Sequence, residues 1–319
     1  ELFPLSNGCA KIYFVSLLCK FKPVNMTHKS GFVNIIGKPN VGKSTLMNAL
    51  IGEKLSIITP KAQTTRHRIL GIYNDEEHQI VFSDTPGIIE PNYKMQESMM
   101  KFVDSALEDA DVIVLITEAK DKAEQNIKER IEKAKNKDAD ILVVINKIDL
   151  SQQEDVLVKI KEWKEIFPDS EVIPISAIAG FNLEKLLMEI KDRIPKNPPY
   201  YSKDTLTNKS MRFFVSEIIR EKILKHYRKE VPYSVEVVVD EYKETADIIR
   251  IKSYIYVSRE SQKIIIIGQQ GKAIKKVGIE ARKDIEEFVS KKVYLELSVK
   301  VRKDWRDDPK ELKRFGYEE

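Results

Sequence analysis

Four short apolar runs stand out in the N-terminal part of the chain: Phe32-Val33-Asn34-Ile35-Ile36, Gln79-Ile80-Val81-Phe82-Ser83, Ile141-Leu142-Val143-Val144-Ile145 and Val172-Ile173-Pro174-Ile175-Ser176-Ala177. They are rich in β-branched residues and too short for buried helices, so each reads as a buried strand. Residues 45–51 read as a helix directly after the first run, and residues 183–190 as an amphipathic helix after the last. Buried strands leading into helices predict an α/β domain built on a Rossmann-like parallel sheet. Pro195-Lys196-Asn197-Pro198-Pro199 stops this pattern and opens a linker. Beyond it the order is helix (212–227), strands (233–239 and 248–257), four isoleucines (264–267), helix (272–289) and strand (293–301). That second part is α+β. The reading therefore divides the chain into an α/β domain (26–198), a linker (199–211) and an α+β domain (212–319).

Each strand of the first part ends in a polar segment with its own task. After the first run comes Gly37-Lys38-Pro39-Asn40-Val41-Gly42-Lys43-Ser44. A Gly-containing loop between strand and helix wraps backbone N–H groups around phosphate oxygens at a helix N-terminus. Lys43 then reaches the β- and γ-phosphates, and the Ser44 hydroxyl ligates Mg²⁺. Asp84-Thr85-Pro86-Gly87 follows the second run. Asp84 should hold Mg²⁺ through water, and Gly87 lets its N–H approach the γ-phosphate. Asn146-Lys147-Ile148-Asp149 follows the third. An ionised carboxylate only accepts hydrogen bonds, so Asp149 suits the N1–H and exocyclic amine of guanine. Asn146 can brace the base and the P-loop, while the Lys147 stem covers a ring face. Ser176-Ala177 ends the fourth run, where the Ala177 N–H can meet guanine O6. Four such segments in this order imply a site for GTP or GDP with Mg²⁺.

Between the first two segments lies Thr59-Pro60-Lys61-Ala62-Gln63-Thr64-Thr65-Arg66-His67-Arg68, polar and basic, which reads as a loop ordered only around a triphosphate. We favour Thr65 as its Mg²⁺ ligand, with Thr64 as the alternative. Hydrolysis would then rest on Lys43, Thr65, Asp84, Gly87 and Asn40, with Thr85, Pro86 and Ile88 completing the nucleotide contacts. Some GTPases place a water-orienting Gln after the Asp-x-x-Gly segment. Here Ile88 and Ile89 stand there, so unaided hydrolysis should be slow. Asn40 either offers a carbonyl to a monovalent cation such as K⁺ near the β–γ bridge or braces the loop, and both roles stay open.

Composition changes the picture in two places. Both cysteines, Cys9 and Cys19, lie before Met26, beside the apolar run 12–18. That run is too short to span a bilayer. Residue 1 is Glu, and Met26 opens the stretch leading into the first strand, so residues 1–25 are expected to be a leader, disordered or non-native. The rest of the chain has no cysteine. This fits a reducing cytosol and excludes a thiol nucleophile or a cysteine metal site. His28, His67, His78 and His226 stand in no metal-ligand spacing. The chain carries a net charge of +4, and residues 209–319 hold 26 Lys and Arg against 20 Asp and Glu. A modest excess like this makes position decisive.

The decisive position is Gly268-Gln269-Gln270-Gly271, followed by Lys272, Lys275 and Lys276 on a helix. A Gly-x-x-Gly turn joining two elements, with lysines after it, is how KH domains clamp a single-stranded backbone. The preceding isoleucines favour a strand by propensity, whereas a KH fold needs a short helix there. Trp305, among charges in the tail, could stack on a base or pack against the last strand.

Taken together, a GTPase domain with Gly-x-Pro-Asn-x-Gly-Lys-Ser and a C-terminal KH domain resemble the Era family of bacterial GTPases. The likeness covers nearly everything from Met26 onward. Its marks are Lys61-Ala62-Gln63-Thr64-Thr65-Arg66-His67-Arg68, Ser216-Glu217-Ile218-Ile219-Arg220-Glu221-Lys222 and Gly278-Ile279-Glu280-Ala281-Arg282-Lys283-Asp284. The leader departs from the family pattern. The resemblance implies an α/β P-loop GTPase followed by an α+β type II KH domain. It implies binding of the 3′ end of small-subunit ribosomal RNA, action in assembly of the 30S ribosomal subunit, and peripheral contact with the inner membrane from a cytoplasmic location. A monomer is expected. Two alternatives are an RNA-binding scaffold whose affinity the nucleotide tunes, and a GTPase of tRNA modification. No cysteine or second catalytic constellation supports the latter.

Xanthine presents an acceptor where guanine presents its exocyclic donor. Asp149→Asn should therefore move nucleotide preference from GTP toward xanthosine triphosphate in competition binding, and an unchanged preference would count against the assignment.

Overall fold

The computed structural model describes residues 27–122, 125–135 and 138–317, so the expected leader lies outside the described residues. Six strands form the first sheet: β1 (Lys29–Ile36), β2 (Ile69–Asn74), β3 (His78–Asp84), β4 (Val112–Glu118), β5 (Asp140–Asn146) and β6 (Glu171–Pro174). Their order is β2-β3-β1-β4-β5-β6. All neighbours are parallel except the β2–β3 pair, which is antiparallel. Five helices cover the sheet: α1 (Lys43–Ile51), α2 (Lys94–Glu108), α3 (Gln125–Ala134), α4 (Gln153–Ile166) and α5 (Leu183–Arg193). Ile113 and Leu115 of β4 face the cluster of α2, α3 and α4, while Val112, Val114 and Ile116 face that of α1 and α5. Burial on both faces explains why these strands read as unbroken apolar runs. The fourth run stops as a strand at Pro174, sooner than its apolar pattern suggested, and Ser176 pairs instead with Phe181 in the following turn.

Residues of the linker run along β2. The Ile72 N–H donates to the Leu206 carbonyl at 2.8 Å, and Thr207 bridges Gly71. This covers the antiparallel edge, whose N–H and C=O groups would otherwise invite pairing.

The second part holds α6 (Met211–His226), β7 (Val235–Glu244), β8 (Ile248–Val257), α7 (Glu260–Ile267), α8 (Lys272–Val289), β9 (Lys292–Val301) and α9 (Pro309–Arg314). Its sheet runs β7-β8-β9, antiparallel then parallel. Val215, Ile219 and Ile223 of α6 and Val277, Ala281 and Ile285 of α8 pack on one face of it. The tail returns to the first part. Trp305 is fully buried, donates from its indole to the Ser234 carbonyl at 3.1 Å and meets the Phe315 ring edge-on. It packs with the core of α2 to α4 rather than standing ready for a base.

The four isoleucines are helical. Gln262 accepts from the Ser258 and Arg259 N–H groups at 3.0 and 3.1 Å, which closes the first turn of α7. Gly268, at φ 69°, ends it. One apolar face, not β-propensity, then decides the segment: Ile266 is 0% exposed and Ile264 70%. Ile266→Ala should lower stability by about 2–5 kcal/mol in urea unfolding. Ile264→Ala should stay within about 0.5 kcal/mol of the parent, and equal losses would contradict the helical arrangement.

Candidate functional site

The carboxyl ends of β1, β3 and β5, with the turn after β6, meet along one edge of the first sheet. The P-loop leaves β1 and enters α1 at Lys43, with Gly42 at φ 102° as its N-cap. A Cβ at Gly37 would stand 2.3 Å from the Ile116 carbonyl, and one at Gly42 would stand 2.2 Å from the Asn146 amide nitrogen. Both positions need glycine for space. A Cβ at Gly87 would likewise stand 2.6 Å from the Pro39 nitrogen, and the Ile88 N–H donates to the Gly37 carbonyl at 3.0 Å. The segment after β3 therefore lies directly against the P-loop. Thr85 donates to the Ile35 carbonyl at 2.9 Å, which fixes that segment to β1.

Three oxygens converge beside the helix start. The Ser44 hydroxyl donates to the Asp84 carboxylate at 2.7 Å, the Thr65 hydroxyl donates to the same oxygen at 3.2 Å, and the two hydroxyls are 2.9 Å apart. The other Asp84 oxygen is buried without a partner. Burial pushes the Asp84 carboxyl up, opposed by the Ser44 hydroxyl and the Lys43 ammonium. A set of two hydroxyls and one under-satisfied carboxylate, all oxygen, fits Mg²⁺, which takes few protein ligands when phosphates share its shell. Thr64 turns away from this cluster, toward Thr59 at 2.7 Å and the Lys61 carbonyl at 2.6 Å. Thr65 is thus the threonine the fold brings to Asp84.

Asn146, at the end of β5, donates to the Val41 carbonyl at 2.9 Å and accepts from the Ala177 N–H at 3.0 Å. Ser176 donates to Asp149 at 2.6 Å and orients its carboxylate. Lys147 reaches back over the site to the Asn40 carbonyl at 2.6 Å. The Asn40 side-chain amide donates to the Pro60 carbonyl at 3.1 Å, a bracing contact between the P-loop and the 59–68 loop. A cavity of about 350 Å³, lined by Lys43, Ser44, Thr65, Gly87, Lys147 and others, opens between them.

A second constellation lies far from the first along the chain. Gly268-Gln269-Gln270-Gly271 forms a tight turn between α7 and α8, with Gln270 at φ 53° and Gly271 at φ 74°. A Cβ at Gly268 would stand 2.5 Å from the Ala273 Cβ, whereas Gly271 faces open space. Gln269, Gln270, Lys272, Lys275 and Lys276 are all exposed. Beside the turn, Ile274, Gly278 and Ile279 of α8 and Leu295 and Leu297 of β9 line a groove of about 270 Å³.

The expectation that loop 59–68 is ordered by a triphosphate alone is corrected. Arg66 is 1% exposed and buried against β7, and its neighbours reach α6. The sequence registered these residues only as a basic loop, because their partners Arg220, Glu236 and Tyr317 are far away along the chain. Among the described residues no three or more His, Cys, Asp and Glu side chains gather as metal ligands.

Burial pushes the Lys43 ammonium down to about 8, against the pull of Asp84, while it donates to the Gly37 and Lys38 carbonyls at 3.2 and 2.7 Å. If Lys43 meets a phosphate, binding favours its charged form, so above pH 8 binding is coupled to proton uptake at Lys43. Affinity for GDP should fall about twofold from pH 7 to 8 and be roughly tenfold weaker at pH 9. Titration with a fluorescent GDP at constant ionic strength measures this, and a flat profile to pH 9 would remove Lys43 from the phosphate.

Residues 32–147 match the family described as 50S ribosome-binding GTPase, and residues 230–306 match the KH domain. The chain is 46% identical to the GTPase Era of Geotalea uraniireducens over 291 residues, covering 91% of this chain and 98% of that one. It is 44% identical to the GTPase Era of Geotalea daltonii over 290 residues, with the same coverage of 91% and 98%. Among solved structures it resembles Era in complex with MgGDPNP and nucleotides 1506–1542 of 16S ribosomal RNA, with TM-score 0.86, 41% identity, and 91% and 99% of the two chains covered. A variant of Aquifex aeolicus Era bound to GDP and AlF4⁻ matches with TM-score 0.86 and 42% identity, over 91% of this chain and 99% of that one. With a P-loop GTPase domain followed by a KH domain, the chain belongs to the Era family of GTPases.

Proposed function

We propose that this protein is a GTP-hydrolysing switch that binds the 3′ end of small-subunit ribosomal RNA through its KH domain and serves small-subunit assembly and rRNA maturation. One observation carries the reading: a single chain joins the Ser44–Asp84–Thr65 oxygen cluster to an exposed Gly-x-x-Gly turn at the head of a lysine-bearing helix. The relative solved with MgGDPNP and 16S nucleotides 1506–1542 supports it.

In this reading the P-loop N–H groups and Lys43 hold the β- and γ-phosphates. Ser44 and Thr65 are the residues to ligate Mg²⁺, with Asp84 acting through water, and the bound ion offsets charge growing on the γ-phosphate oxygens. The Gly87 N–H senses the γ-phosphate. Asp149 and the Ala177 N–H read guanine, with Asn146 and Lys147 bracing and covering it. Ile88 and Ile89 pack against the core of the GTPase domain. No side chain at that position orients the attacking water, so unaided turnover is slow. The cytoplasmic location, the peripheral membrane contact and the monomeric state belong to the same reading and rest on the family resemblance. No helix among the described residues is long and apolar enough to cross a membrane.

At the KH turn, Gly268 and Gly271 let the RNA backbone come close, Lys272, Lys275 and Lys276 meet phosphates, and the groove beside α8 takes bases. Replacing both Gln269 and Gln270 by Asp sets two negative charges there while keeping both glycines, and Asp tolerates the positive φ of residue 270. Binding of a small-subunit RNA 3′ end should be largely lost, with melting temperature and GTP affinity retained. Lys275→Ala with Lys276→Ala should flatten the log–log salt dependence by roughly 0.7 per lost phosphate contact. Parent-like RNA affinity of the double Asp variant at matched salt would show that this turn is not the clamp.

A further inference from the structure

Thr65 is the Mg²⁺ ligand of the preceding reading, yet the loop that carries it is held from the other domain. Directly after Thr65, the Arg66 guanidinium donates to the Val235 carbonyl at 2.6 Å, the Glu236 carboxylate at 3.1 Å, and the Pro232 and Tyr233 carbonyls at 3.3 and 3.2 Å. The Tyr317 hydroxyl donates to the same Glu236 oxygen at 2.6 Å. Directly before Thr65, the Gln63 and Thr64 carbonyls accept from the Arg220 guanidinium on α6. Glu217 holds that guanidinium through two bonds, at 2.7 and 2.5 Å. His67 packs against the Tyr317 ring at a centroid distance of 4.5 Å, the two planes tilted by 33°. Arg66, Arg220 and Tyr317 are each 1% exposed.

Charge makes this arrangement all-or-none. Two guanidinium groups face two carboxylates, all buried, at the boundary between domains. His67 packs in the same boundary, between the rings of Phe102, Phe213 and Tyr317. Burial and the Glu236 carboxylate push the Tyr317 phenol well up, so it stays a donor. Withdrawing Arg66 would leave Glu236 buried without its cation, a strongly unfavourable state. The loop therefore docks fully or leaves, and intermediate positions are disfavoured.

We propose that the KH domain completes the GTPase site in cis: Arg66, Arg220, Glu236 and Tyr317 are positioning residues that place the Thr65 hydroxyl for Mg²⁺ and the γ-phosphate. None of the four lines the cavity between the P-loop and the 59–68 loop. They matter for GTP and not for GDP, because only the γ-phosphate state uses Thr65. This rests on the reading of Thr65 as the ligand, and its test separates the two.

The experiment measures, on the full chain with Mg²⁺, affinities for GTP and GDP, kcat and KM for GTP, and melting temperature. Thr65→Ala should lower both the GTP/GDP affinity ratio and kcat; if it lowers neither, Thr65 is not the ligand and the underlying reading fails. Given that loss, Tyr317→Phe keeps the ring on His67 and removes one bond to a charged acceptor, and Glu236→Gln removes the charge. Each should lower the GTP/GDP ratio and kcat by roughly tenfold, with GDP affinity within about twofold, because a hydrogen bond to a charged group is lost. Adding Thr65→Ala to either should give little further loss. If both variants only lower the melting temperature and keep the ratio and kcat of the parent, the interface is structural and the proposal is wrong. If Glu236→Gln fails to fold, Tyr317→Phe decides alone.

Discussion

One carboxamide ties the P-loop, β5 and the turn after β6 together. Asn146 is 2% exposed and uses both ends of its side chain, donating to Val41 of the P-loop and accepting from Ala177 after β6. No other side chain of this length offers a donor and an acceptor on one planar group. Asp would set an acceptor against the Val41 carbonyl, and Leu would leave both backbone groups buried and unpaired. The same contact sets the requirement at Gly42, because its missing Cβ is the space the Asn146 nitrogen occupies. Three strand ends are thereby tied at the height where a base and its phosphates can lie between them. β4 stands between β1 and β5, and its last residue, Glu118, takes the Lys147 ammonium at 2.5 Å. Lys147 is thus held from two directions, by Glu118 and by the Asn40 carbonyl.

Around that brace the charges are set for a ligand. Lys43 is buried and rests on two carbonyls of its own loop, so it is already desolvated and aimed toward the P-loop. Asp84 is fully buried and one of its oxygens has no partner. On the proposed reading, a phosphate would give Lys43 a counter-charge and a cation would engage the free Asp84 oxygen, and preorganised groups of this kind need no rearrangement during the reaction.

What the sequence made legible follows a physical rule. Strands buried on both faces, and glycines forced by close approach, leave local marks: the runs around Val33, Val81 and Val143, and Gly37 and Gly42. Local propensity failed at Ile264-Ile265-Ile266-Ile267, where the Gln262 cap and the Ile266 contact outweigh a strand preference. Trp305 was ambiguous because its partner Ser234 lies 71 residues away. The anchoring of the 59–68 loop had no local mark at all. Arg66 meets Glu236 across 170 residues, and Glu236 meets Tyr317 across 81. A basic residue in a polar loop reads as solvated until the fold supplies its acid.

That hidden contact has a neighbour with a wider geometric consequence. Lys61 of the same loop donates to the Tyr227 carbonyl, and the Tyr227 hydroxyl donates to the Ile266 carbonyl at 2.6 Å. Burial pushes the Tyr227 phenol up to about 12, so it remains a donor through the neutral range. Ile266 belongs to the last turn of α7, just ahead of Gly268. One residue thus stands between the loop that carries Thr65 and the turn that begins at Gly268. Packed interiors shift between discrete arrangements rather than stretching, so a displacement at either end is resisted at the other. Linkage adds a constraint on any coupling that runs this way. Whatever free energy a ligand at the Gly268–Gly271 turn contributes to the docked loop, a triphosphate at the loop must return to the turn in equal measure. The link runs through Lys61 and Tyr227 alone, so it can carry only part of such an exchange; the Arg66 nest, the Arg220 contacts to the same loop and the packing of Trp305 also join the two parts.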